Sequence, residues 1–380
     1  MTIRALEFYS GIGGLHLALV RSAWDAQVVA AYDWDPAACQ VYAANYGPGA
    51  VKATDICRLT AADVAIHRAH LWLLSPSCQP YTVLNPKAKG EDDPRAASFL
   101  HLIRNVLPRL HSDHPDHAPR WLLIENNSTT RRTLVQILRA LEYNLEEFLL
   151  TPHQFGIPNS RLRYYLLASL EPGDGYGRLT QDSTLLDGSG QIRRSIPCTE
   201  KQVASPPLDS EPSSSIRDVP LPISLYLDDF IESTANPQSF AIPQHVLAKW
   251  GRLLDIVKPS DRRSCCFTRS YTKLVEGSGS VLQMDEALDT TITFKLYAEA
   301  VQEGSHPNPL SILDPLRLRY FTPNELLKIF HFNQPQAYVD VYLPPANSYE
   351  AEPQPYSFKW PPSITTKTQY RLIGNSFAGP

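Results

Sequence analysis

The chain has 380 residues, 43% of them hydrophobic, with a net charge of −4. That is enough apolar material for one large domain or two ordinary ones, and it excludes general disorder and a histone-like basic binder. Its 33 prolines exceed the roughly 19 that a usual ~5% would give, which predicts long irregular connections.

In chain order, residues 3–9 read as a strand that runs into Ser10-Gly11-Ile12-Gly13-Gly14, and 15–21 have helical spacing. Residues 27–32 (QVVAAY) form a second strand ending at Asp33, and Asp35-Pro36 opens a helix to Tyr46. Further strands are predicted at 71–74, 121–124, 147–150 and 164–168, with helices at 98–110 and 130–141. This alternation predicts an α/β sheet that is mostly parallel. Residues 171–222 are rich in Gly, Ser and Pro and mark a boundary, after which helices are expected near 243–256 and 323–331. The expected organisation is a catalytic domain over 1–170, a target-recognition domain over 171–364 with Pro-rich insertions, and a return segment at 365–380.

No apolar run reaches the ~20 residues of a membrane span, and the N-terminus lacks a signal peptide's apolar core, so a soluble intracellular protein is expected. The six cysteines contain no CxxC pair, which speaks against a disulfide framework and a zinc site.

Four clusters carry chemistry. Phe8 to Gly14 follows a strand and precedes a helix, and its glycines allow a sharp turn and close approach to a ligand. It is not the dinucleotide fingerprint, because His16 holds the third glycine position. Asp33, about 20 residues on, stands where an acid binds ribose hydroxyls, although it could also be a helix cap. Trp34 could lie against a purine, and Asp55-Ile56 could meet an adenine edge, so the set suits an adenosine-containing cofactor. Cys78, in Pro76-Ser77-Cys78-Gln79-Pro80, follows the third long strand, where a side chain faces the ligand crevice. Glu125, at the end of another strand, falls at the same edge. A thiolate and a carboxyl group fit covalent attack on a heterocycle whose ring nitrogen is protonated. Arg161 and Arg163, spaced by two, are expected on one strand face, suited to a phosphate or a base carbonyl.

The order of these motifs, completed by Arg371-Leu372-Ile373-Gly374-Asn375-Ser376, resembles the C5-cytosine methyltransferases that use S-adenosylmethionine. Residues 98–110, 156–168, 264–283 and 318–326 are most similar to the eukaryotic group that acts on tRNA, with Cys266-Phe267-Thr268 as a signature. The resemblance implies a Rossmann-like methyltransferase fold with a smaller target-recognition domain. It implies S-adenosylmethionine as cofactor, S-adenosylhomocysteine as product and no metal. Cys78, Glu125, Arg161 and Arg163 would be catalytic. Phe8, Ser10, Gly11, Ile12, Gly13, Gly14, Asp33, Trp34, Asp55, Ile56, Ser75, Asn375 and Ser376 would meet the cofactor. Gln79, Cys266, Phe267, Thr268 and Arg269 would meet the substrate. The implied substrate is the tRNA anticodon loop, cytosine 38 of tRNA-Asp above all. The implied setting is a monomer in the cytoplasm or nucleus, away from membranes. Arg131-Arg132, Arg262-Arg263, Lys273, Arg317 and Arg319 are expected to add a basic surface for RNA phosphates.

The sequence departs from the pattern at Ser77, where a second proline is usual, and it stops four residues after Ser376, short of the closing helix that the resemblance implies. A DNA cytosine methyltransferase and a weakly active or non-catalytic RNA-binding homologue are the alternatives.

Overall fold

A computed structural model describes residues 2–76, 94–125, 131–170, 192–194, 196, 225–232, 237–342 and 357–377. The chain opens with β1 (Ile3–Phe8), α1 (Gly14–Arg21), β2 (Ala26–Asp33), α2 (Pro36–Tyr46), β3 (Val51–Ala53), α3 (Ala61–Ala65) and β4 (Leu71–Leu74). It continues with α4 (Pro94–His101), α5 (Leu107–Asp113), β5 (Trp121–Glu125), α6 (Arg131–Ala140), β6 (Asn144–Leu150) and β7 (Arg163–Ser169). These seven strands make one sheet in the order β3-β2-β1-β4-β5-β7-β6. The first five are parallel, and β7 runs antiparallel to both β5 and β6.

The expected α/β fold is therefore present. Strand order reverses between β1 and β4, because β1, β2 and β3 step one way across the sheet while β4 and β5 step the other. Ligands bind outside the carboxyl ends of strands at such a switch point. The strands that flank it share one apolar face, with Leu6, Phe8, Tyr32, Trp72, Leu74, Leu122 and Ile124 in one core. The predicted 98–110 helix is longer than expected, running through α4, a π-helical stretch (Leu102–Val106) and α5. Pro108 lies two residues beyond that stretch, and its missing N–H is accommodated where the helix ladder already shifts.

The later residues form α7 (Gln244–Trp250), β8 (Ile256–Val257), β9 (Val281–Gln283), α8 (Thr290–Glu303), β10 (Leu318–Arg319), α9 (Pro323–Ile329), α10 (Gln336–Tyr342) and α11 (Thr366–Gly374). The helix expected over 243–256 stops at Trp250, and a tight turn follows from Gly251, where a Cβ would lie 2.8 Å from the Phe294 ring. None of the described helices is long and apolar enough to cross a membrane.

The chain groups into two units. The first holds the described residues up to Leu150, those between Leu162 and Ile216, and Lys359–Pro361. The second holds Thr151–Arg161, the described residues between Arg217 and Phe358, and those from Pro362 on. The boundaries drawn from composition at 170 and 364 do not coincide with these. Residues 151–161 and the final segment group with the second unit, because side chains of 159 and 161 bind backbone at 265–267 and 374–376.

Candidate cofactor and catalytic site

The first unit places the glycine turn at the switch point. Tyr9 leaves β1 with φ +60°, Gly11 has φ +53°, and Gly13 sits at φ +89° before α1. A Cβ on Gly13 would lie 2.2 Å from the Tyr46 ring, so only glycine fits. The end of β4 is tied to this turn, since the Ser75 hydroxyl donates to the Tyr9 carbonyl at 3.0 Å.

Asp33 is buried at the end of β2 and is not a helix cap. One carboxylate oxygen accepts from the Gly11 N–H and the other from the Asp35 N–H, both at 2.8 Å. The cap of α2 is Asp35, which accepts from Ala37 and Ala38. Burial raises the Asp33 carboxyl above its ordinary value, against the pull of its backbone hydrogen bonds. Each carboxylate oxygen has a second lone-pair site, so ribose hydroxyls can still be accepted. Trp34 beside it is 75% exposed, an indole face open to a purine. Asp55 caps the short turn Ile56–Arg58 through the Cys57 N–H.

Three expected cofactor contacts need correction. The Phe8 ring is wholly buried, stacked on Tyr32 and tilted against Trp72, so it supports the sheet rather than a ligand. The side chains of Ile12 and Ile56 are also in the core, which leaves only their backbone to offer. The aromatic side chain at the turn is Tyr9, which sequence reasoning missed. It is partly buried, its hydroxyl donates to Ser98, and its positive φ is unusual for a bulky residue.

The catalytic residues divide. Cys78, Ser77 and Gln79 lie outside the described residues. Glu125 is buried at the end of β5, and Arg163 opens β7, whose Tyr165 pairs in register with Glu125. Their side chains meet, Arg163 Nε standing 3.7 Å from Glu125 Oε1.

Arg161 does not join them. The strand begins at Arg163, so the period-two argument fails, and Arg161 belongs to the second unit. Its guanidinium donates to the carbonyls of Phe267 and Ser376, both at 2.9 Å, and to that of Gly374 at 3.3 Å. It also reaches Cys266 Sγ at 3.4 Å and lies over the Phe330 ring. A group so committed clamps these segments together.

The clamp joins two motifs singled out in the sequence. A Cβ on Gly374 would collide with the Thr268 backbone at 2.2 Å, so α11 ends directly against residues 266–268. The Phe267 ring is buried among Tyr271 and Phe321. Thr268 is partly buried and Arg269 is exposed. Asn375 caps α11, and the Ser376 hydroxyl donates back to the Leu372 carbonyl. The expected basic surface is also thinner than its sequence suggests. Arg131 pairs with Glu147, Arg263 with Asp255, and Arg319 is buried against Glu325.

The residues fit an adenosine cofactor. Ser10 Oγ is buried in the glycine turn with no hydrogen-bond partner among the described residues, and the turn's glycines keep the backbone open to close approach.

Comparison with known proteins agrees with this geometry. The C-5 cytosine-specific DNA methylase family matches residues 3–193. The Bos taurus tRNA (cytosine(38)-C(5))-methyltransferase is 33% identical, over 98% of this chain and 95% of its own. The protein of the same name from Schizosaccharomyces pombe is 34% identical, over 98% and 92%. The crystal structure of the S. pombe Dnmt2 methyltransferase superposes with a TM-score of 0.70 at 31% identity, covering 100% of this chain and 95% of that one. A Spodoptera frugiperda DNMT2 variant gives 0.72 at 30% identity, covering 99% and 96%.

Proposed function

The chain belongs to the C-5 cytosine-specific DNA methylase family, and from that premise we propose that it is an S-adenosylmethionine-dependent tRNA (cytosine-5-)-methyltransferase acting on cytosine 38 of tRNA-Asp. The observation that carries the chemistry is the Glu125–Arg163 pair, set in the same sheet whose switch point bears the glycine turn and Asp33. The choice of tRNA is supported by relatives of that name whose similarity spans nearly the whole of both chains.

In this reading the glycine turn, Asp33, Trp34, Asp55 and Tyr9 hold the cofactor, which supplies an electrophilic methyl group. A cytosine in a tRNA loop is taken out of its stack, at less cost than from a duplex. The Cys78 thiolate adds to C6 of the base, since only the thiolate is nucleophilic. Glu125 donates its proton to N3, so the electron pair displaced from the ring does not build up as charge. Arg163 holds the Glu125 carboxyl group in place and donates to the O2 carbonyl. C5 then takes the methyl group and loses its proton, the returning electron pair expels Cys78, and N3 gives its proton back to Glu125. Arg161 keeps the 266–268 and 374–376 segments together and takes no part in these steps. The protein is proposed to act as a monomer in the cytoplasm or nucleus.

The experiment is methyl transfer from labelled cofactor to a tRNA-Asp transcript, to the same transcript with uridine at position 38, and to duplex DNA. Label entering only the first supports the proposal. Faster labelling of DNA would replace it with the DNA-methylating reading.

A further inference from the structure

Glu7 lies in β1 directly behind the glycine turn, and it is 0% exposed. A carboxyl group so placed is costly unless it is well bonded. Its hydrogen-bond partners among the described residues are uncharged. The Tyr42 hydroxyl on α2 lies 2.8 Å from Oε2, and the backbone N–H of His16 on α1 donates to Oε1 at 3.2 Å. His16 Nδ1 in turn lies 2.6 Å from the Tyr42 hydroxyl. The His16 ring stacks on Tyr46 with centroids 3.9 Å apart, and the Tyr46 hydroxyl donates to the Gly13 carbonyl at 2.8 Å. The chain of contacts from Glu7 therefore closes on the turn itself.

Helix α1 explains the need. Gly13 precedes it and provides no side-chain cap. The third N–H of a helix normally finds a side-chain oxygen at the capping position. Here that oxygen comes from Glu7, on the neighbouring strand. We propose that Glu7 is a positioning residue for the glycine turn: its carboxyl group replaces the missing cap of α1 and, through Tyr42 and His16, fixes Gly11–Gly14 in the shape that receives the cofactor. This rests on the reading of that turn as the cofactor site.

The network tolerates both charge states. Burial pushes the Glu7 carboxyl up to about 8 and the His16 imidazole down to about 4. The groups facing Glu7 are Tyr42 from α2, His16 from α1 and Asp33 from β2, and β4 brings no titratable side chain. As a carboxylate, Glu7 accepts from Tyr42, whose oxygen accepts from His16 Nδ1–H. As an acid, it donates to Tyr42, whose hydroxyl then turns to a bare Nδ1. Glu7→Gln imitates the acid form, and Glu7→Leu removes both roles.

The test uses amide hydrogen exchange of the full chain without cofactor, at pH 6, then calorimetry with S-adenosylhomocysteine as probe. Glu7→Leu is expected to speed exchange over residues 11–16, and to weaken probe binding, by about tenfold each, the order of a lost helix cap plus a lost buried hydrogen bond. Glu7→Gln is expected to stay within about threefold of wild type in both, because it keeps the cap. Unchanged exchange in Glu7→Leu, or equal damage by Glu7→Gln, overturns the proposal. If Glu7→Leu does not fold, Tyr42→Phe decides, since it keeps the carboxyl group but breaks its link to His16. Faster exchange over residues 11–16 is the expected result, and wild-type exchange there overturns the proposal. A wild type that binds no probe would overturn the cofactor reading, while the exchange data still decide the role of Glu7.

Discussion

Arg161 and Arg163 stand two residues apart and serve regions with opposite demands. Around Arg161 every feature is closed: a buried guanidinium on three carbonyls, a ring beneath it, and a helix end packed where only glycine fits. Where β5 ends and the antiparallel β7 begins, Arg163 is only partly buried and meets Glu125 at 3.7 Å, an ion pair longer than a hydrogen bond. The terminal nitrogens of Arg161 are committed mainly to backbone carbonyls. Arg163, proposed to be catalytic, keeps its partner at ion-pair distance. Similar spacing and chemistry in the sequence thus conceal two roles that only the destinations of the hydrogen bonds separate.

Mutations should break the molecule differently in the two regions. Glu125→Gln is expected to lower kcat by about 10³–10⁴, the size of a lost general acid, with probe binding and melting temperature unchanged. Single-turnover methyl transfer to tRNA-Asp measures it. Arg161→Ala should cost about 3 kcal/mol in urea unfolding, because several buried carbonyls lose their donor together. Arg161→Lys should not restore this, since an ammonium cannot span the fork. Arg163→Ala should shift the balance toward activity: about 10² lost in kcat, with a stability loss smaller than that of Arg161→Ala. If Arg161→Ala lowers kcat at unchanged stability, the division between clamp and catalyst is wrong.

The first unit was largely legible in the sequence because its central strands are buried on both faces and read as unbroken apolar runs, QVVAAY, LWLL and WLLI. The second unit was not. Strands β8, β9 and β10 are two or three residues long and carry no periodicity. Helix α8 has legible ends, an Asp289 cap and Gly304 at φ +62°, but it opens on four β-branched residues, TTIT, whose helix propensity is low. In the site, Asp33 and Glu125 were found because a strand's carboxyl end predicts where a side chain faces. Phe8 and Tyr9 were exchanged because the chain leaves the strand at Tyr9, a turn of φ that no alternation rule shows. Glu7 was passed over, although an acid inside IRALEF is itself a signal.

The smallest expected effect is a pH dependence of stability. The Glu7 carboxyl, at about 8 in the fold against 4.5 when exposed, holds its proton more tightly folded than unfolded. Its contribution is full below 4.5 and is lost as pH rises toward 8. His16, lowered from 6.5 to about 4, acts the other way, losing stability as pH falls below 6.5. Above 6.5 only the Glu7 slope remains of the two, about 2 kcal/mol between pH 6.5 and 8. Urea unfolding of wild type against Glu7→Gln isolates it, and the difference should grow with pH.

The central claim, that this chain methylates a tRNA cytosine through a thiolate beside Glu125 and Arg163, is tested most directly by trapping. Wild-type protein with S-adenosylmethionine and tRNA-Asp carrying 5-fluorocytosine at position 38 cannot lose fluorine as a proton, so the adduct persists. Mass spectrometry of the digested complex should place the nucleotide on the peptide containing Cys78, and Cys78→Ala should give none. An adduct on another residue, or none from a wild type that methylates ordinary tRNA-Asp, would contradict it.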